Sequence, residues 1–223
     1  MKSLKVTLLV PTLNEIEGAK AVMPKIDCSW VDEVIVVDGG STDGTIEYMQ
    51  SQGYRVHVQS GHGYGVAMKQ GLALAEGDVV VEFTPDGNSL PEAIPALVQE
   101  IEKGHDLVVA SRYKAGAKSE DDDWLTLCGN WMFTAVVNLL FRARYTDVLV
   151  GFRAYRKAPA WQLDFDAKGQ SWPCQVSIRF AKNKFKTSEI PVDEPKRLGG
   201  VRKMMPFKTG MEIVRLIIRE FFT

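Results

Sequence analysis

Val79-Val80-Val81-Glu82-Phe83-Thr84-Pro85-Asp86-Gly87-Asn88 is the stretch that decides the fold. Its β-branched apolar start reads as a buried strand. Pro85 ends the strand, because proline cannot donate to a central ladder. Asp86 and Asn88 follow at once, with one glycine between them. Open α/β sheets bind ligands outside the carboxyl ends of their strands, so both side chains are expected to face a crevice. Two hard oxygen donors one residue apart can share Mg²⁺ or Mn²⁺, with a diphosphate completing the shell. A plain Asp-Gly-Asn turn reads from the same residues, and the rest of the chain separates the two.

Upstream, residues 4–10 read as a first strand that runs into Pro11-Thr12-Leu13-Asn14-Glu15. Residues 34–37 form a second, followed by Asp38-Gly39-Gly40-Ser41-Thr42-Asp43-Gly44-Thr45. Asp38 is placed to accept hydrogen bonds from a base or ribose. Gly39 lets backbone approach a ligand, and Ser41, Thr42 and Asp43 are good helix caps. Residues 54–58 form a third strand. Gly61-His62-Gly63-Tyr64-Gly65 then opens a helix, and free N–H groups at such a start favour an anion. Residues 107–110 make a further strand ending at Ser111-Arg112-Tyr113. Strands alternating with helices imply an α/β fold: a mostly parallel central sheet with helices on both faces. Neither a dinucleotide fingerprint nor a P-loop lysine is present.

Downstream, Glu120-Asp121-Asp122-Asp123 reads as a solvated loop that starts a helix. Residues 124–141 are apolar-rich, but Thr126, Gly129, Asn130, Thr134 and Asn138 interrupt them. A bilayer span needs roughly 20 apolar residues, so this helix is expected to pack on the sheet or lie at a membrane surface. Asp147, Gly151-Phe152-Arg153 and a helix over 172–182 follow. Basic residues cluster late, at Lys196, Arg197, Arg202, Lys203 and Lys208. Residues 211–222 form a last, amphipathic helix with Glu212, Arg215 and Arg219 on one face.

At 223 residues, 45% of them hydrophobic, the chain suits one large domain. Within it three parts are read: 1–113, 114–209 and a terminal helix at 210–223. The 27 basic and 28 acidic residues nearly cancel, which excludes a bulk nucleic-acid binder. Cys28, Cys128 and Cys174 fit neither a zinc site nor a disulfide framework, so a reducing cytoplasm is expected. The first ten residues lack a signal-peptide layout.

These motifs, in this order, resemble inverting family-2 glycosyltransferases with the Rossmann-like A-type nucleotide-sugar fold. The closest branch looks like the polyprenyl-phosphate sugar synthases, typified by the dolichol-phosphate mannose synthases. Residues 10–15 look like the first-strand motif, and 36–45 like the base- and ribose-binding motif. Pro85-Asp86-Gly87-Asn88 sits where the family has its metal-binding Asp-x-Asp, with Asn88 replacing the second acid.

The resemblance implies a UDP- or GDP-linked sugar donor held by Pro11, Asn14, Glu15, Asp38, Gly39, Gly63, Gly65 and Asp86. It implies Mg²⁺ or Mn²⁺ on Asp86 and Asn88, and a catalytic set of Asp86, Asp147 and Arg112. Attack by a lipid phosphate would need cations but no base, and Arg112, Arg197 and Lys203 are the candidates. A saccharide hydroxyl acceptor would need a carboxylate such as Asp147 to take its proton. A silent nucleotide-sugar-binding module is the third reading. The expected location is cytoplasmic, at the inner face of the membrane.

Overall fold

The computed structural model describes residues 4–199 and 204–223. Seven strands form one sheet: β1 (Val6–Thr12), β2 (Glu33–Asp38), β3 (Arg55–Val58), β4 (Val79–Glu82), β5 (Leu107–Ser111), β6 (Arg153–Arg156) and β7 (Thr187–Pro191). Their spatial order is β3-β2-β1-β4-β6-β5-β7, and only β6 runs antiparallel to its neighbours. The helices are α1 (Ile16–Val22), α2 (Thr45–Ser51), α3 (Tyr64–Leu74), α4 (Ile94–Glu102), α5 (Trp124–Phe141), α6 (Lys157–Gln162), α7 (Trp172–Lys182) and α8 (Pro206–Phe222).

The valine run explains the layering. Val79 and Val81 point to one face with Leu8, Val10 and Val36, against α1 and α4. Val80 points to the other with Leu9, Ile35 and Val37, against α3, α5, α7 and α8. A strand buried on both faces needs apolar residues at every position, as this one has until Glu82. Glu82 is completely buried, and its Oε1 accepts from Tyr155 Oη at 2.9 Å and Trp172 Nε1 at 2.8 Å.

Three boundaries differ from expectation. β1 continues through Pro11 to Thr12. Leu9 O accepts from Phe83 N on the β4 side, and Pro11, two residues on, faces the same way. The ladder with β4 ends at the Leu9–Glu82 pair, so the missing N–H has no bond to lose. β6 and β7 were not legible as strands: Arg153-Ala-Tyr-Arg156 starts and ends on arginine, and Thr187-Ser-Glu-Ile-Pro191 is a polar edge strand. The final helix begins at Pro206, before the expected 211, with proline in its first turn, where the missing N–H is no loss.

α5 spans the expected residues. Asp123 caps it, accepting from Thr126 N at 2.8 Å. Asn130, Phe133, Thr134, Val137 and Phe141 form its buried stripe, facing α7 and α8. By length and composition alone α5 is long and apolar enough to cross a membrane, with mean hydropathy 1.4 over 18 residues.

Candidate active site

Asp86 and Asn88 sit just beyond β4, as the sequence suggested, and both line a cleft of about 690 Å³. Gly18 of α1 packs against the Pro85 carbonyl, leaving no room for a Cβ, and so sets α1 beside this turn. Gly87 has φ +94°, which glycine adopts without strain, and turns Asn88 back so that its N–H donates to Asp86 Oδ1 at 3.1 Å. Asn88 Nδ2 donates to Asp121 Oδ2 at 2.9 Å. That leaves Asn88 Oδ1 buried with no hydrogen-bond partner. Asp86 Oδ2 pairs with Arg197 Nη2 at 3.1 Å, and Arg197 Nη1 lies 3.6 Å from Glu15 Oε1.

The donor set fits a hard divalent cation bound mainly by substrate. An orphaned amide oxygen stands beside a carboxylate, the type of oxygen donor Mg²⁺ takes together with substrate phosphates. Among the described residues no group of three or more His, Cys, Asp or Glu side chains could hold a metal by itself. Asp86 and Asn88 would therefore supply part of a coordination shell.

One end of the cleft is built by two loops knitted together. Asn14, at φ +51°, accepts from Thr42 N at 2.8 Å, and its own N–H donates to Ser41 Oγ at 2.8 Å. Gly39 N donates to Thr12 O at 2.8 Å, and Pro11, Leu13, Glu15 and Gly39 line the cleft. Asp38 requires a correction. It is fully buried, and it accepts four hydrogen bonds from Thr12 Oγ1, Gly40 N, Ser41 N and Ser41 Oγ, at 2.6–2.8 Å. Its oxygens hold the 39–41 loop, and the side chain is not among those that line the cleft.

The glycines at the start of α3 are also corrected. Gly65 N donates to Lys168 O at 3.0 Å, while Val66 N and Ala67 N bond to Gly63 O. A Cβ at Gly63 would strike the Lys168 carbonyl, and one at Gly65 the Ala167 carbonyl. These glycines let one backbone pass close to another, and the N–H groups of Gly65, Val66 and Ala67 are already taken.

Arg112 lies at the centre of a carboxylate cluster. Its Nε and Nη2 form a fork on Asp147, at 2.7 and 3.1 Å, while Nη1 reaches Asp122 at 3.2 Å and Glu194 at 3.3 Å. The side chain is 11% exposed. Burial opposes its charge, and the carboxylates of Asp147, Glu194 and Asp122 overcome that, holding its pKa well above the ordinary arginine value. The expected free fork for a phosphate is therefore a structural clamp.

Asp147 is fully buried, and its Oδ1 also accepts from Leu149 N at 3.1 Å and Val150 N at 3.2 Å. It does not line the cleft: of the roles open to it, proton acceptor, sugar contact or loop cap, these contacts serve the last, which corrects its place in the catalytic set. The acidic run is corrected too: Asp121 and Asp122 turn into the site and only Asp123 serves as the helix cap.

Lys203 lies outside the described residues; Arg112 and Arg197 both line the cleft, and Arg197 turns its guanidinium to Asp86. Sequence reading missed Glu194, which nothing nearby marks. It also missed the far half of the cleft, where Leu125, Met132 and Phe133 of α5 face Met211, Ile213 and Val214 of α8.

A mostly parallel sheet with one antiparallel strand, opening at its carboxyl ends onto an acidic turn, is the A-type glycosyltransferase fold. Crystal structures of glucosyl-3-phosphoglycerate synthase from Mycobacterium tuberculosis share it. The complex with Mn²⁺, UDP and phosphoglyceric acid matches with TM-score 0.76 and 22% identity, covering 98% of this chain and 78% of that one. The complex with Mg²⁺ and UDP matches with TM-score 0.75 and 23% identity, covering 97% and 79%. The protein is a glycosyltransferase, and the chain belongs to glycosyl transferase family 2, whose description matches residues 7–164.

Among its relatives, polyprenol monophosphomannose synthase of Mycolicibacterium smegmatis is 31% identical over 88% of this chain and 80% of that protein. Undecaprenyl-phosphate mannosyltransferase of Micrococcus luteus is 28% identical, covering 96% and 93%. Dolichyl-phosphate hexose transferase of Haloferax volcanii is 29% identical, covering 95% and 92%.

Proposed function

We propose that this protein transfers a hexose from a nucleoside-diphosphate sugar to a polyprenyl phosphate, with inversion and with Mg²⁺ or Mn²⁺ bound at Asp86 and Asn88. The observation that carries the reading is the two-ended cleft. A charged end at Asp86, Asn88 and Arg197 opens onto an apolar trough between α5 and α8. An amphiphile with a phosphate head and an isoprenoid tail matches both ends. The names of the relatives point the same way.

The Pro11–Glu15 loop and Gly39 would hold the base and ribose, and Asp86 would orient the diphosphate. The chemistry that a divalent cation supplies there is neutralisation of charge on the leaving diphosphate. A bond forms between an acceptor phosphate oxygen and the anomeric carbon as the bond to the diphosphate oxygen breaks. A phosphate monoester near pH 7 already carries between one and two negative charges, so no base is required. Asp147, with its oxygens committed to Arg112 and the 149–150 backbone, is poorly placed to serve as the base that a hydroxyl acceptor needs.

Incubation with UDP- and GDP-sugars, Mn²⁺ and three acceptors tests this. Labelled product is expected with polyprenyl phosphate, and neither with the dephosphorylated polyprenol nor with a free saccharide. EDTA is expected to abolish it. Transfer to the saccharide and not to the lipid phosphate would overturn the assignment.

The reading also places the protein at a membrane surface. Trp131 on α5 is 75% exposed and Phe207 on α8 is 86% exposed. Apolar side chains left in water on two adjacent helices suit a lipid interface. Sedimentation with anionic vesicles is expected, weakening as salt screens the basic residues. The double variant Trp131→Glu, Phe207→Glu is expected to stay in the supernatant, and its unchanged sedimentation would refute the interface.

A further inference from the structure

Arg197 stands where a cation is wanted. Its guanidinium lies between Asp86 Oδ2, at 3.1 Å, and Glu15 Oε1, at 3.6 Å. The backbone beside it is pinned to the same turn. Leu198 N donates to Asp86 O at 2.9 Å, and the Leu198 side chain covers Gly87. Gly199 in turn packs against Glu17 of α1, so closely that a Cβ would overlap it.

Yet the pairing leaves polar atoms unsatisfied. Asn88 Oδ1 and Arg197 Nε are both buried with no hydrogen-bond partner. A cation shared by Asp86 and Asn88 would use the first of these together with the Asp86 carboxylate. A guanidinium 3.1 Å from an oxygen of that carboxylate would then face like charge in a site where solvent screens weakly.

We propose that Arg197 competes with the divalent cation for Asp86. Without metal, Arg197 closes the carboxylate, and the cation's arrival releases the guanidinium toward anions in the cleft. The same side chain would thus guard the metal site first and be free for the acceptor phosphate second. The inference rests on the proposed function in one respect, that Asp86 is the cation's carboxylate.

Mn²⁺ titration without donor or acceptor tests it, with free Mn²⁺ read by electron paramagnetic resonance. Arg197→Ala and Arg197→Gln are each expected to bind Mn²⁺ about five- to tenfold more tightly than wild type. Equal or weaker binding in both would overturn the competition while leaving the metal reading intact. Failure of all three proteins to bind Mn²⁺ would overturn both. Wild type supplies a second readout, independent of any variant's folding. NMR of the Arg197 guanidinium is expected to show hindered rotation without metal and free rotation at saturating Mg²⁺. Rotation that stays hindered would mean that the cation does not displace it.

Discussion

Asp86→Ala is expected to lower turnover by about a thousandfold, a loss of roughly 4 kcal/mol of transition-state stabilisation. The residue closes β4, the strand buried on both faces, so its position is set by the sheet. It lies in one turn with the orphaned Asn88 oxygen. The fold should survive, because Asp86 is a turn residue on the cleft wall and not part of the apolar core. Thermal shift with Mn²⁺ and a nucleoside diphosphate checks the cause, since a ligand that binds only the folded state raises the melting temperature. That rise should disappear in the variant. Asp86→Asn refines the test: it keeps the shape and the bond from Asn88 N while removing the charge, and should lose nearly as much activity. Wild-type turnover in Asp86→Asn would refute the metal assignment.

Arg112→Met is expected to destabilise the protein by about 3–5 kcal/mol, the usual result of removing one partner from a buried ionic cluster. For a chain of this size that corresponds to roughly 10 °C in melting temperature. Methionine fills much of the volume and removes the guanidinium that Asp147 and Glu194 share.

The pH dependence gives the mechanism a sign. Burial raises the Glu194 pKa, and Arg112 opposes that rise. Without Arg112 the folded-state pKa climbs further above the unfolded value. A carboxyl raised in this way gives a stability that is greatest below the unfolded pKa and is lost as pH rises through the folded one. The deficit of Arg112→Met against wild type should therefore be largest at neutral pH and shrink toward pH 4–5 (about the ordinary carboxylate range). Urea melts at both ends of that window measure it. A deficit independent of pH would show that Arg112 acts through packing alone.

Both predictions depend on residues that differ in how readable they were. Asp86 and Asn88 follow a valine run within ten residues, and a strand's carboxyl end is a local inference from a local pattern. α5 was readable for the same reason: its buried stripe and the Asp123 cap are set by neighbours three and four positions away. Arg112 was identified, but the carboxylates it would meet were not. Its partners lie 10, 35 and 82 residues distant, and no pattern along the chain reports which charges will meet. Asp38 and Gly65 carried the right residue types for ligand contact, but no pattern along the chain showed that Asp38 would bond to Thr12, Gly40 and Ser41, or that Gly65 would pack on the 167–168 backbone.

The sequence by itself determined the layered α/β fold, the strand ends, the Asp-Gly-Asn turn, the apolar-rich helix over 124–141 and the amphipathic terminal helix. Each of these follows from periodicity or from the fixed conformations of proline and glycine, which act over a few residues. Only the tertiary structure decided that antiparallel β6 separates β4 from β5, and that α5 and α8 enclose an apolar trough continuous with the charged cleft. It alone seated Arg197 on Asp86 across a separation of more than a hundred residues. Pairings of that kind depend on how much surface and charge each arrangement of the whole chain buries, and no short window of sequence contains that information.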